Sequence, residues 1–312
     1  MKFYGTISVG SSAKKFKVLF DTGSGDMWLP SEDTYVCGSK QCYSSQKSTS
    51  STPDGREFSA DYLSGSVAGV FVKDTVRLGS FSTEQIFAKV SYFSGLDNVY
   101  PNSKWDGMVG MAWPSLSKYK FRPTIFSLFD ANTNLAKQFA FYLPKNPKKD
   151  GELVIGGYNK KRFTGDLVPV KVTSQAYWTV GITSVIIGNT VVSNKVTGIL
   201  DTCTSLIMLP KNAFDKIVQN TGAVMNGERY TVDCDMVSLL PKLEMEIGGT
   251  KWIFTGEDYI IRYINKACIL GMLPKDSKVV DNQNWIIGEV FFRHVYTVFD
   301  VDQSTVSFAY VK

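Results

Sequence analysis

The chain holds one histidine, His294, in 312 residues. Ser–His and Cys–His nucleophilic systems, and metal sites built on imidazole clusters, therefore have almost no material to work with. His294 lies in a run that reads as a strand, where a structural role is expected. No apolar run approaches the roughly 20 residues that cross a bilayer. Asn-x-Ser/Thr does not occur, so the chain offers no acceptor for N-linked glycan. Charge of one sign is also in short supply: 34 Lys+Arg against 29 Asp+Glu leave a net +5, mild for this length. The basic groups are short: Lys14-Lys15, Lys145 with Lys148-Lys149, and Lys160-Lys161-Arg162. They stand beside Gly, Pro and Asn and read as solvated loops. No nucleic-acid partner, membrane span, metal or cofactor is expected.

Cysteine is sparse but informative. Cys37 and Cys42 are separated by Gly38-Ser39-Lys40-Gln41, with no His or further Cys near, which suits a small disulfide-closed loop better than a metal site. Cys234 and Cys268 flank a pair of apolar runs and could close a larger loop. Cys203 is left over. An odd cysteine in an otherwise pairable set points to a non-cytosolic compartment and one free thiol. The chain opens on strand-like residues, Phe3-Tyr4-Gly5-Thr6, without a signal-peptide apolar core. Either an intracellular protein or the mature form of a longer precursor is expected from that opening.

What is abundant is apolar and alternating. Hydrophobic residues make up 44% and aromatics 13% of the chain, enough for a large core and two domains. Phe3 to Val9, Lys15 to Phe20 and Val67 to Val72 alternate with the period of a half-buried strand, and Gly, Asn, Asp and Ser punctuate the runs. Helical patterns are few and short, the clearest at 123–129 and 211–218. The architecture is predicted to be mostly β with minor helices. Residues 143–151 read as a polar hairpin tip. The boundary between halves is placed between 158 and 172, giving 1–165 and 166–312.

Two stretches organise these halves. Leu19-Phe20-Asp21-Thr22-Gly23-Ser24 and Ile199-Leu200-Asp201-Thr202-Cys203-Thr204-Ser205 each read as an apolar strand running into a tight turn that carries Asp then Thr. Taken alone, an Asp-Thr-Gly-Ser is an ordinary turn whose Asp caps its own backbone. Here it is duplicated in register. Asp21 is followed after 89 residues by Gly110, closing Trp105-Asp106-Gly107-Met108-Val109-Gly110. Asp201 is followed after 87 by Gly288, closing Trp285-Ile286-Ile287-Gly288. Two carboxylates contributed by duplicated lobes suit general acid–base hydrolysis of an amide. Held close together they share one proton; the ionised member takes a proton from water while the protonated member donates to the carbonyl oxygen. The hydroxyls of Ser24 and Thr204 would hydrogen-bond the outer carboxylate oxygens.

These residues resemble the pepsin-like aspartic proteases, in family order and over nearly the whole chain, with a texture closest to the cathepsin D and plasmepsin types. Further matching elements are Trp28-Leu29-Pro30-Ser31, the close Cys pair, Tyr62-Leu63-Ser64-Gly65-Ser66, Gly156-Gly157, Tyr177-Trp178, and the closing run from Phe291 to Asp300. The shared-proton pair is that family's established chemistry. The resemblance implies a bilobal β fold with a cleft that takes an extended peptide. It implies Asp21 and Asp201 as the catalytic pair, supported by Ser24, Thr204, Gly23 and Cys203. Tyr62, Ser64 and Gly65 would form a flap over substrate, with Trp28 the partner of Tyr62. Leu19, Met108, Ile199, Ile286, and Val99 or Tyr100 would line pockets, so cleavage between bulky apolar residues is expected. It also implies statine-type (pepstatin-like) inhibitors, a propeptide in a zymogen precursor, a monomer, activity greatest in acid, and a secreted, vacuolar or lysosomal location.

Three departures stand out. Cys203 occupies the family's Gly position. The further strand that usually precedes Tyr4-Gly5 has no counterpart, and Asn194-Lys195-Val196-Thr197 offers no short Cys pair before the second Asp. A backbone needing positive φ at position 203 would be strained by a side chain. The competing expectation is thus a catalytically silent peptide-binding protein on the same fold. Glycoside hydrolysis also uses two carboxylates, but the sequence lacks the matching spread of cleft Trp and Glu residues.

Overall fold

The computed structural model describes residues 3–62, 65–96, 100–146, 149–262, 267–275 and 284–312. Contacts divide the chain into two compact units, Lys2–Leu135 and Ala136–Lys312. Strand accounts for 51% of the described residues and helix for 16%, the mostly β architecture that alternation predicts.

The first unit is built on a seven-stranded sheet. Its strands are β1 (Tyr4–Val9), β2 (Lys14–Asp21), β3 (Met27–Pro30), β4 (Thr52–Tyr62), β5 (Gly65–Leu78), β6 (Phe81–Ser94) and β7 (Gly107–Gly110). They lie in the order β1-β2-β7-β3-β6-β5-β4. In β2 exposed lysines alternate with buried Phe16 and Val18, and the strand then turns wholly apolar through Leu19 and Phe20. That change marks its passage into the sheet's centre, covered on both faces. Lys14 and Lys15 therefore stand on a strand, not in the loop expected of them. Helix α1 (Thr124–Ala131) follows Pro123 and buries Ile125, Phe126, Leu128 and Phe129.

The second unit carries another seven-stranded sheet: β8 (Thr179–Ile187), β9 (Thr190–Leu200), β10 (Ile207–Leu209), β11 (Leu243–Ile247), β12 (Thr250–Phe254), β13 (Met272–Pro274) and β14 (Trp285–Ile287). Their order is β12-β11-β8-β9-β14-β10-β13. The duplication read in sequence is a duplication of topology. Along β1-β2-β7-β3-β6 the pairings run antiparallel, parallel, antiparallel, parallel. Along β8-β9-β14-β10-β13 they run the same way. Helix α2 (Lys211–Thr221) ends at Gly222, whose φ of 65° supplies the left-handed cap that favours glycine.

The second unit also holds a four-stranded sheet, in the order Val224–Asn226, Arg229–Val232, Cys268–Leu270, Ile260–Arg262, and a five-stranded one, in the order Phe163–Lys171, Thr305–Val311, Val295–Asp300, Gln138–Tyr142, Glu152–Ile155. The stretch 143–151 joins the last two of these paired strands as a hairpin connection; Pro147 and Lys148 lie outside the described residues. Phe139 stacks on Phe299 at 4.8 Å and meets Trp178 edge-on at 5.7 Å. The half boundary at 165/166 falls inside the strand Phe163–Lys171. Lys160–Arg162 forms a 3-10 turn, with Arg162 paired to Glu152.

Both expected disulfides are present: Cys37–Cys42 and Cys234–Cys268, with Cα atoms 5.6 and 5.4 Å apart. Cys203 takes part in neither bridge, and it is buried. No described helix is long and apolar enough to cross a membrane.

His294 sits in the turn one residue before the strand Val295–Asp300, rather than within it. Its Nδ1 lies 3.1 Å from Asp258 Oδ1 and its Nε2 lies 2.9 Å from the Ile253 carbonyl. Asp258 also accepts from Lys145 Nζ at 2.7 Å and from the Thr255 amide and hydroxyl at 2.9 and 2.7 Å. Burial pushes this carboxyl up, but the bonds from His294, Lys145 and Thr255 outweigh it and hold Asp258 well below its ordinary value of 3.8.

The sign of that shift makes Asp258 a source of stability above pH 3.8 that is lost as pH falls through its lowered folded value. Asp258→Asn should lower Tm by a few degrees, roughly 2–6 °C, at pH 6. The gap to the parent should close only well below pH 3.8, as thermal unfolding at a series of pH values would show. Gly288 supplies a second test. A Cβ there would lie 2.2 and 2.3 Å from the carbonyl oxygens of Thr204 and Leu206, whereas one at Gly181 meets nothing within 4 Å. Gly288→Ala should cost about 3 kcal/mol or more, and Gly181→Ala less than about 1 kcal/mol, in urea unfolding.

Candidate active site

Each Asp turn holds its carboxylate by the same device. In the first unit the Gly23 amide donates to Asp21 Oδ1 at 2.8 Å, and the Ser24 hydroxyl donates to Oδ2 at 2.6 Å. In the second, the Cys203 amide donates to Asp201 Oδ1 at 2.8 Å, joined by the Thr204 amide at 3.0 Å, and the Thr204 hydroxyl donates to Oδ2 at 2.7 Å. An amide on one oxygen and a hydroxyl on the other fix the plane of each carboxylate. Asp21 is buried and Asp201 partly exposed.

Cys203 therefore does through its backbone what Gly23 does. The positive-φ non-glycine residues among those described are Ala13, Lys120, Lys195 and Ser304, so position 203 does not demand the left-handed region. Cys203 is 8% exposed and is accommodated without that strain.

The strand after each turn's long excursion comes back between the arms of that turn. β7 lies between β2 and β3, which enter and leave the Asp21 turn; β14 lies between β9 and β10, which flank Asp201. The Gly110 amide donates to the Asp26 carbonyl at 3.0 Å, Met111 to Asp21 at 2.7 Å and Ala112 to Ser24 at 2.9 Å. On the other side the Asp201 amide donates to Ile287 at 3.0 Å and Glu289 to Thr204 at 2.8 Å.

Leu19 stands two residues before Asp21 on β2 and shares a strand face with it, and Ile199 stands two residues before Asp201, next to the last residue of β9. In register, Leu19 is opposite Met108 and Ile199 opposite Ile286. All four are buried, and Met108 Sδ lies 3.7 Å from the Ser24 hydroxyl. Tyr62 ends β4, and its phenol oxygen accepts from Trp28 Nε1 at 3.0 Å, the partnership expected of a flap tyrosine. Trp28 is buried and packs edge-on against Phe93, Tyr100 and Trp105. Gly65 opens β5 at φ 149°, where a Cβ would lie 2.4 Å from the Ser94 carbonyl. Tyr100 is buried and stacks on Phe93 at 4.8 Å. Leu63, Ser64 and Val99 lie outside the described residues. Among the described residues, no group of three or more His, Cys, Asp or Glu side chains could hold a metal.

One component was missed in sequence. Asp26, five residues past Asp21, accepts a 2.8 Å bond on Oδ1 from the Ser117 hydroxyl. Burial pushes the Asp26 carboxyl up, opposed by Ser117 and by the charge of Lys118. The partners are 91 residues apart, and no local pattern announces the contact.

The chain matches a family model described as eukaryotic aspartyl protease over residues 2–311. Among curated proteins, cathepsin D of Gallus gallus is 34% identical over 322 residues, covering 99% of this chain and 80% of that protein. Cathepsin D of Chionodraco hamatus is 33% identical, covering 100% and 81%. Cathepsin D of Homo sapiens is 32% identical, covering 99% and 80%.

Because the bond to Asp201 comes from the amide of Cys203, removing the side chain should leave that bond in place. Cys203→Gly is expected to change kcat for peptide hydrolysis by less than about twofold, measured per titrated active site. A large rise would mean that the thiol obstructs the turn.

Proposed function

The chain belongs to the eukaryotic aspartyl proteases, and on that premise we propose that Asp21 and Asp201 act as one pair that activates water against a peptide bond. Membership makes it an aspartic-type endopeptidase with the pepsin-like fold. The observation that carries the assignment of the pair is the repeated bonding scheme, amide to Oδ1 and hydroxyl to Oδ2, at both aspartates.

In this mechanism one carboxyl is protonated and the other ionised. The ionised member takes a proton from water as its oxygen bonds to the carbonyl carbon. The protonated member gives its proton to the carbonyl oxygen, whose π electrons become a lone pair. The tetrahedral diol then breaks its C–N bond: the carboxyl that took the water proton gives it to the leaving nitrogen, and the other, now ionised, takes a proton from a diol hydroxyl as the C=O re-forms, which restores one protonated and one ionised carboxyl. The pair titrates as a unit. No cofactor enters the reaction. Ser24, Thr204 and the amides of Gly23 and Cys203 keep the carboxylates oriented while protons move.

The substrate is an extended peptide, bound by backbone hydrogen bonds much as an added strand would be. Tyr62, Ser64 and Gly65 form the flap, with Trp28 holding Tyr62. Leu19, Met108, Ile199 and Ile286, apolar and beside the aspartates in register, favour cleavage between bulky apolar residues. Statine-type inhibitors would bind the same groups. Two disulfides support a secretory-pathway location, whether secreted, vacuolar or lysosomal. A propeptide-bearing precursor and a monomeric active species complete the reading, since one chain supplies both aspartates. The silent-binder alternative depended on a distorted second turn, and the Cys203 amide makes the same 2.8 Å bond as that of Gly23.

Digestion of a denatured protein between about pH 3 and 7 should be fastest in acid, fall as the pair loses its shared proton, and stop with a pepstatin-like inhibitor. Asp21→Asn should reduce cleavage by about a thousandfold or more while Tm stays within a few degrees, roughly that of the parent. Retained cleavage in that variant would overturn the paired-aspartate mechanism.

A further inference from the structure

β4, the strand that carries Tyr62, is the edge of its sheet. Ser59, three residues before Tyr62, pairs with Ala68 on β5, yet its amide and carbonyl are turned outward. Both meet one side chain. The Ser59 amide donates to Tyr119 Oη at 2.7 Å, and that hydroxyl donates to the Ser59 carbonyl at 3.1 Å. Lys118 Nζ donates to the Ser59 hydroxyl at 3.1 Å. The Tyr119 ring packs against Phe58 at 5.7 Å and Phe71 at 4.8 Å, and Arg56 of β4 lies 4.2 Å over the ring of Phe121.

The other end of this segment is bonded to the Asp21 turn. Met111 and Ala112 donate to the carbonyls of Asp21 and Ser24, and Ser117 donates to Asp26. Between the two ends lies a tight turn. The Lys120 amide bonds the Ser117 carbonyl at 3.1 Å, the Phe121 amide bonds the Ser117 hydroxyl at 3.2 Å, and Lys120 sits at φ 59°. A residue without glycine's freedom holds a left-handed conformation there. That conformation turns the chain directly after Tyr119. The segment 111–121 thus forms a strap from the aspartate turn to the outer edge of the flap strand.

We propose that Tyr119 is a positioning residue for peptide hydrolysis: through Ser59 it sets where β4 delivers Tyr62 relative to the Asp21 turn. This rests on the reading of Tyr62 as a flap residue. An edge strand needs cover against unwanted pairing in any case. A cover alone, however, does not require bonds to both backbone groups of one residue from a segment anchored at the catalytic turn.

Tyr119→Phe deletes the hydroxyl and keeps the ring packing, so the fold survives the test. Expected is a fall in kcat/KM of about 5- to 10-fold per site titrated with a statine-type inhibitor, with Tm within about 3 °C of the parent. In a Tyr62→Phe background, which lacks the phenol that Trp28 bonds, adding Tyr119→Phe should cost less than about twofold more, because both act through one group. Unchanged kcat/KM in Tyr119→Phe would overturn the inference. So would full additivity of the two variants, or a lowered Tm with kcat/KM intact. If Tyr62→Phe by itself left kcat/KM unchanged, the flap reading would fall and this inference with it. The loss in Asp21→Asn would then still stand, which separates the two failures.

Discussion

A strand tip held between the two arms of each aspartate turn is the constraint from which the site follows. β7 can lie between β2 and β3 only because residue 110 has no side chain: a Cβ there would sit 2.5 Å from the Asp26 nitrogen. Gly288 meets the carbonyls of Thr204 and Leu206 even more closely. This approach lets backbone groups of residues 110–112 and 287–289 bond the turns directly. The aspartates are thereby set in turns whose backbone is bonded on both arms. Within each turn, local amides and hydroxyls then fix the orientation of the carboxylate.

Buried charge is handled by the same logic elsewhere in the chain. Asp74 is fully buried, and burial pushes its carboxyl up. Bonds from Ser50, Ser48, Tyr43 and the Thr75 amide reverse that and hold it below the ordinary carboxylate range. Asp106 accepts from the Lys17 and Gln41 amides at 2.8 and 3.0 Å, joining β2 to the small disulfide loop. Asp258 is held low by His294, Lys145 and Thr255. Asp74 and Asp258, each held below the ordinary carboxylate range by several donors, keep their charge in mild acid, where weaker carboxylates would protonate and release their partners. Asp26 goes the other way, since a single hydroxyl and the nearby charge of Lys118 do not offset its burial. The contrast follows from the number of donors each carboxylate meets.

Much of this was legible in residues close together in the chain. Alternation located the strands, Pro123 and the apolar spacing after it located α1, and the four-residue gap located the Cys37–Cys42 bridge. The duplicated Asp-Thr turns, and the glycine about 88 residues after each, marked the corresponding turn in each unit. The Trp28–Tyr62 bond followed from the resemblance and is present. Less was legible where a side chain's neighbour is chosen by the sheet. Lys14-Lys15 looked like a loop because two charges precede the alternation, yet β1 pairs with that stretch through Val9↔Lys14 and Ser8↔Lys15. Cys203 looked like a source of strain because a residue letter carries no φ.

Sequence by itself determined the class of chemistry. One histidine left little material for imidazole catalysis, and two in-register Asp turns supplied the carboxylates; both are properties of residue type and spacing. Tertiary structure alone decided how each turn is held. The bonds from Ser117 to Asp26, from Tyr119 to Ser59 and from His294 to Asp258 join residues 91, 60 and 36 positions apart. Hydrogen bonding is a matter of a few ångströms and of direction. Chain separation says nothing of either until strand order and register have brought the partners together.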